Sequence, residues 1–404
     1  MFYMRSKGTF PAAVLAIVLI VGTLLLLGIC MILALWDQGR LEYARYGYER
    51  RQYDHLESAF VLYCTDSLAS RGIHRLFPEE EDSEVEVLTG PWGLYEIVRL
   101  SAGKGEAFRQ VRMAGKQVES FYRTVFWYSD RGRPVLLGGN TDIRGKTHLP
   151  RSGVVPVQVG PVFFGGNLPD SSGTEPSAPQ FPKSGDKFYP GEIPGNEAGN
   201  NTDSLTWSFW EKTRYVEIEK EACFLYRKGN VVLYAGEKVE IDRSCHLEDV
   251  LLLAPSVKFG KGFRGKVQVF ARDSVILEEG VRLEYPSGIY VQGRTHRSMV
   301  RMGENCSVKG YVILEIPEEP AGEWSMHYHS GKTSEVEGLL YVDGNAALQG
   351  YVRGSTWLRD CYYVTSSGYY PELLYDVHLT AGKQVAYPLW LEGPYRRKFI
   401  AWLY

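Results

Sequence analysis

From Val239 onward, apolar side chains return at every sixth residue. The series Val239, Cys245, Leu251, Val257, Phe263, Val269, Val275, Val281 and Ser287 is apolar at all but its last member. A companion series two residues on runs Ile241, Leu247, Leu253, Phe259, Gly265, Ala271, Leu277, Leu283 and Ile289. Residues i and i+2 share one face of a strand, so each six-residue unit reads as a very short strand pointing two side chains inward before a corner. Three such sides make a turn of about 18 residues, the arrangement of a hexapeptide-type parallel β-helix. Val239, Val257 and Val275 stand one such turn apart. A single turn cannot bury its own inner face, so turns must stack, about 4.8 Å apart. An antiparallel sandwich with coincidental spacing is the competing architecture.

The same beat recurs outside this stretch. Gly338, Gly344 and Gly350 interleave with Val336, Val342 and Leu348. Leu137, Ile143 and Leu149 repeat at six beside Gly139 and Gly145, and predict one or two turns set apart from the main stack by an insertion. That insertion is the Pro-, Gly-, Ser- and Asn-rich stretch 166–204, which reads as a long irregular loop.

The N-terminus is of a different kind. Thr9 to Trp36 contains no charged residue, and about 20 apolar residues suffice to cross a bilayer as a helix. A cleaved signal has an apolar core of only about 7 to 15 residues, and Cys30 follows Ile29 rather than the small residue a lipoprotein site needs. Arg5 and Lys7 precede the span while Arg40, Arg45, Arg50 and Arg51 follow it, so the basic count alone does not favour an inside N-terminus. The expected topology is nonetheless a single-pass inner-membrane protein with a periplasmic ectodomain, because solenoids of this kind need no cytosolic partner. Leu41, Ala44, Tyr48, Leu56, Phe60 and Tyr63 fall at helical spacings, so the span is expected to continue as an amphipathic helix over 37–75. That half lies either on its own domain or against a partner helix.

Lys7-Gly8-Thr9-Phe10 ahead of an apolar run that passes into an amphipathic helix resembles the N-terminus of type IV pilins and pseudopilins. The resemblance implies peptidase cleavage between Gly8 and Thr9. The family's Glu at the fifth mature position is replaced here by Ala13. The stretches "LESAF", "GPWGLYEIV", "LLGGNTDIRGKTHLP" and "VEGLLYVDGNAALQGYVRGSTWL" are also similar to membrane-anchored β-solenoid proteins of Bacteroidota, a likeness that implies architecture rather than activity.

A formal net charge of -3 with no basic block in the ectodomain disfavours nucleic acid as a partner. The six cysteines form no CxxC pair, so zinc is not expected, and Cys245 reads as a buried apolar residue. Hexapeptide β-helices include acyltransferases, which use a His base. His246 and His296 are the candidates here, but neither has an identifiable partner. His327 and His329 share one face if extended, yet "GEWSMHYHSGK" reads as an exposed loop without a third metal ligand. No cofactor motif is present. The 27 tyrosines suit either carbohydrate stacking or plain strand packing.

The chain is therefore expected to be mainly β: a basic tail (1–8), a transmembrane helix (9–36), its amphipathic extension (37–75), a β-rich region with the first solenoid-like turns (83–165), the loop (166–204), a parallel β-helix or hexapeptide-like solenoid (205–365), and a C-terminal capping segment (366–404). The expected role is a non-enzymatic, pilin-like or secretion-apparatus-associated component of the bacterial cell envelope. Its partners would be the bilayer and envelope proteins or copies of itself. The alternative is a protein that binds or modifies envelope polysaccharide, including a hexapeptide-type acyltransferase.

Overall fold

A computed structural model describes residues 12–80, 82–103, 107–117, 124–180, 204–293, 297–316, 325–366, 368–382, 385–390 and 396–403. The described residues are mostly β, 54% of them in strands, with one long apolar N-terminal helix. That helix, α1 (Ala12–Cys64), has 53 residues and extends about 80 Å at 1.5 Å per residue. Its apolar half, of mean hydropathy 3.0, is fully exposed, and is long and apolar enough to cross a membrane, a property that signal sequences share.

From Gln52 one face turns inward. Leu56, Ala59, Phe60 and Tyr63, spaced for one helical stripe, are buried against Val85, Val87, Val98, Leu100 and Ala114. The helix stops at Cys64 instead of running to 75. Ser67 N–H donates to Leu62 O at 2.9 Å and Asp66 N–H to Tyr63 O at 3.1 Å, the paired bonds of a Schellman cap. Asp66, at φ +59°, holds the left-handed position usually given to Gly, which is why no stop signal is visible in the sequence.

The sheet beneath the helix is antiparallel. Strands β1 (Arg71–Arg75), β2 (Glu84–Trp92), β3 (Tyr95–Ala102) and β4 (Phe108–Gln117) pair in order. The fifth strand, Arg396–Leu403, comes from the far end of the chain and pairs with β4. Of the expected C-terminal capping segment, Arg396–Leu403 therefore completes this sheet, while Leu373–Tyr375 and Val377–Thr380 pair with the parallel strands.

Most of the remaining strands form a parallel sheet that closes on itself, beside a separate three-stranded parallel sheet of Val135–Gly138, Val154–Pro156 and Leu373–Tyr375. Val239 pairs with Val257 and Val257 with Val275, while Ile241, Phe259 and Leu277 pair likewise, each 18 residues apart as the spacing requires. Their side chains fill a continuous apolar interior together with Cys245, Phe263, Val269 and Val281.

Two members of the repeat break the pattern. Leu251 and Leu253 face outward, and Val250, Leu252 and Ala254 take the interior. Asp249, at φ +58°, sits where the pairing register shifts between Glu248 and Val250, and a one-residue slip sends every following side chain to the opposite face. The outward Leu251 and Leu253 are covered by the antiparallel sheet, in a cluster with Trp92, Tyr95, Phe270, Tyr290 and Tyr311. The protein thus has three layers: helix, antiparallel sheet, closed parallel sheet.

One corner carries glycine in three successive strands. Gly310, Gly338 and Gly354 stand in register at φ +134°, +131° and +151°. A Cβ on Gly338 would lie 2.0 Å from the carbonyl oxygen of Gly310, so the corner admits no side chain.

Leu137, Ile143 and Leu149 point into the interior as their spacing predicts. Their strands, however, stack at the C-terminal side of the sheet. Thr356–Leu358 pairs with Phe126–Tyr128, and His378–Thr380 with Asp142–Arg144. Within the expected loop, Thr174–Pro176 forms a further parallel strand on Thr147–Leu149. Residues 181–203 lie outside the described residues.

Candidate functional site

Two places concentrate chemistry: the joint that holds the helix to the domain, and a histidine–tyrosine cluster on another face of the parallel sheet. At the joint, Arg112 of β4 is buried between the rings of Phe60 and Trp402, 4.5 and 4.0 Å from their centroids. Its guanidinium donates to Gln110 Oε1 at 2.8 Å and to Glu57 of the helix. Arg397 of the last strand lies 4.4 Å over Tyr63 and donates to Glu96 Oε2 at 3.0 Å and to Asp66. His55 Nε2 meets Glu80 Oε2 at 2.9 Å, and Gln52 Nε2 donates to Asp82 O at 3.2 Å. Charged groups of helix, sheet and C-terminal strand are thereby tied into one unit; stacking on aromatic faces partly replaces the solvation that burial removes.

The joint continues into the second layer boundary. Gln268 of the parallel sheet accepts from Leu94 N–H at 2.9 Å and Tyr311 Oη–H at 2.8 Å, and donates to Trp92 O at 3.0 Å. Glu315, also buried, accepts from Tyr290 at 2.7 Å and from Trp390 Nε1 at 3.3 Å. Burial holds the phenols of Tyr290 and Tyr311 far above their ordinary range, so both remain donors. Much of the tyrosine surplus is accounted for here and inside, since Tyr63, Tyr95, Tyr128, Tyr290, Tyr311, Tyr328 and Tyr341 are almost wholly buried.

On another face, "SMHYHS" is a strand, Ser325–Ser330, not the exposed loop expected. Pairing sets His327 beside Met299 and Asn345, and His329 beside Arg301 and Ala347. The two imidazoles lie 6.1 Å apart and nearly parallel. Tyr362, one strand beyond Ala347, meets both edge-on at 6.3 and 6.0 Å, with its hydroxyl 3.2 Å from His329 Nε2. Burial lowers the pKa of both histidines; the charge of Arg297 adds to this at His327, and His327 and Arg301 add to it at His329. Both rings are therefore neutral near pH 7.

Of the other residues singled out from sequence, Gly8, Thr9 and His296 lie outside the described residues. His246 is on the outer surface, stacked on Tyr226 at 4.8 Å and 3.6 Å from Glu248. Cys245 is interior, its thiol 3.1 Å from Ala222 O, and burial raises its pKa. Among the described residues no three His, Cys, Asp or Glu side chains converge on a metal position. Arg112, Arg397, Gln268 and Glu315 carry no sequence signal: each is a polar residue in an alternating strand, and only the layer packed above it makes it buried.

No protein-family model, curated protein or solved structure matches the chain.

Proposed function

We propose that this protein is a non-enzymatic, membrane-anchored structural or assembly component of the bacterial cell envelope. In this reading it is pilin-like or secretion-apparatus-associated, and its closed parallel sheet is a hexapeptide-like β-solenoid held on the periplasmic side of the inner membrane. The observation that carries the reading is α1: one unbroken helix whose apolar half is bare and whose last three turns are built into the domain. A bare apolar helix needs lipid or other helices around it. A helix fused to its domain through Arg112, Arg397 and a buried stripe sets that domain's orientation, as an assembly subunit requires. The pairing of successive segments 18 residues apart supports the solenoid.

The test is the intact mass and N-terminal sequence of the protein extracted from its native membrane. A chain beginning at Thr9 is the expected result and means processing after Gly8. A chain that retains Met1 overturns the pilin-like reading and leaves a permanently anchored domain.

A further inference from the structure

We infer that His327, His329 and Tyr362 form a binding site for one divalent transition-metal ion of borderline character, Cu²⁺ or Zn²⁺. The inference does not rest on the assembly role proposed above. Sequence offers the two histidines at i and i+2 but no third ligand; the parallel pairing supplies it, because Ala347 is small and Tyr362 of the next strand reaches the imidazoles across it.

The donor set selects the ion. Imidazole and phenolate suit Cu²⁺ and Zn²⁺. Asp360, in register with Asn345 on the same pair of strands, is already held by Arg131 at 2.6 Å to both its oxygens, and Arg301 stands beside His329. Among the described residues a hard cation such as Ca²⁺ or Mg²⁺ would find cationic neighbours beside the two imidazoles, whereas bonds to neutral nitrogen tolerate nearby positive charge. His327 Nδ1 is buried and has no hydrogen-bond partner among the described residues, and an unsatisfied buried nitrogen calls for an explanation.

The rings stand 6.1 Å apart and 23° from parallel, so one ion bound to both requires them to turn as well as to approach. Metal–nitrogen bonds of about 2.0–2.1 Å at an ordinary bond angle need the rings to close by about 1 Å from their present spacing. Both side chains are only half-buried, so rotation about χ1 and χ2 suffices. On binding, the Tyr362 hydroxyl leaves His329 Nε2 and loses its proton to water, and the phenolate oxygen takes the third position.

The test titrates Cu²⁺, and separately Zn²⁺, into the full chain in detergent by calorimetry, with electron paramagnetic resonance and absorption spectra of the Cu²⁺ form. One ion per chain is expected, with nitrogen splitting in the resonance and a phenolate-to-copper absorption band. His327→Gln and His329→Gln should each weaken binding at least tenfold, Tyr362→Phe should abolish the band, and His246→Gln, on a different face, should change nothing. Metal-free melting curves of the variants show that each folds, and an intact variant is the one compared. Absence of saturable binding, or affinity unchanged in both histidine variants, overturns the site; a band that survives in Tyr362→Phe overturns the three-ligand arrangement.

Discussion

The two sheets are assembled on opposite principles. In the closed parallel sheet most segments pair with one 15 to 28 residues away, 18 in the regular stretch from Val239 to Leu277, and charge pairs such as Lys228–Glu248 and Lys309–Glu284 run along the outside. The antiparallel sheet begins with local hairpins but is finished by residues 396–403, almost three hundred positions beyond β4, and is covered on both faces. Repetition makes the first sheet tolerant, since stability is shared among similar neighbours. The second has no repeat to fall back on. Its loss would expose the helix joint and the outward aromatic face together.

Deleting residues 396–403 is the strongest way to break that comparison. Ile400 and Leu403 leave the interlayer cluster and Arg397 leaves Tyr63 and Glu96, at a cost on the order of 4 kcal/mol from the two apolar side chains alone. Limited proteolysis should then cut within β1–β4 while the parallel sheet persists; simultaneous digestion of both would show that they fold as one unit.

Within the parallel sheet, Gly338→Ala should cost about 3 kcal/mol, because the new Cβ meets the Gly310 carbonyl. Gly132→Ala, also at positive φ but with open space around it, should cost only about 1 kcal/mol. Equal melting temperatures for the two would remove the stacked corner as the cause.

At the joint, Arg112→Met keeps the apolar length but removes the charge stacked between Phe60 and Trp402, and should cost about 2 kcal/mol in urea unfolding. Lys309→Ala, which removes a half-exposed ion pair with Glu284, should cost less than about 1 kcal/mol. The ordering of these two, rather than either value, measures how far burial separates the layers.

Asp249 gives a dependence on pH with a definite sign. Burial raises its pKa to about 6, above the unfolded value of about 3.9. The folded chain therefore binds this proton more tightly, so its contribution is fully present below about pH 4 and is lost as pH rises through about 6. Asp249→Asn, which tolerates the left-handed backbone, should stabilise the protein by about 1 kcal/mol at pH 7, with the gain vanishing near pH 4. Urea midpoints at the two pH values decide it; an equal gain at both would assign the effect to backbone conformation instead.

Much of the architecture was legible, and the failures are physical ones. The period of six located the inward Val257, Val275 and Leu277, and also Leu137, Ile143 and Leu149. It failed at Leu251 and Leu253, where a single residue at positive φ shifted the register and no Gly announced it. It also failed to order the segments, because the pattern within a strand does not depend on which segment stacks on it: Phe126–Tyr128 docks on Thr356–Leu358, from the other end of the chain. In the histidine–tyrosine cluster, His327 and His329 were visible as a pair and Tyr362 was not.

The amino-acid sequence by itself determined the apolar length of α1, the short strands with their interior residues, and the near-neutral surface, because each follows from local composition and period. Only the tertiary structure decided which outward face is buried, that the chain's last strand completes its first sheet, and that Arg112, Gln268, Glu315 and Tyr362 have partners far away in sequence. Those outcomes depend on which layers meet, and a local pattern carries no information about the surface that will cover it.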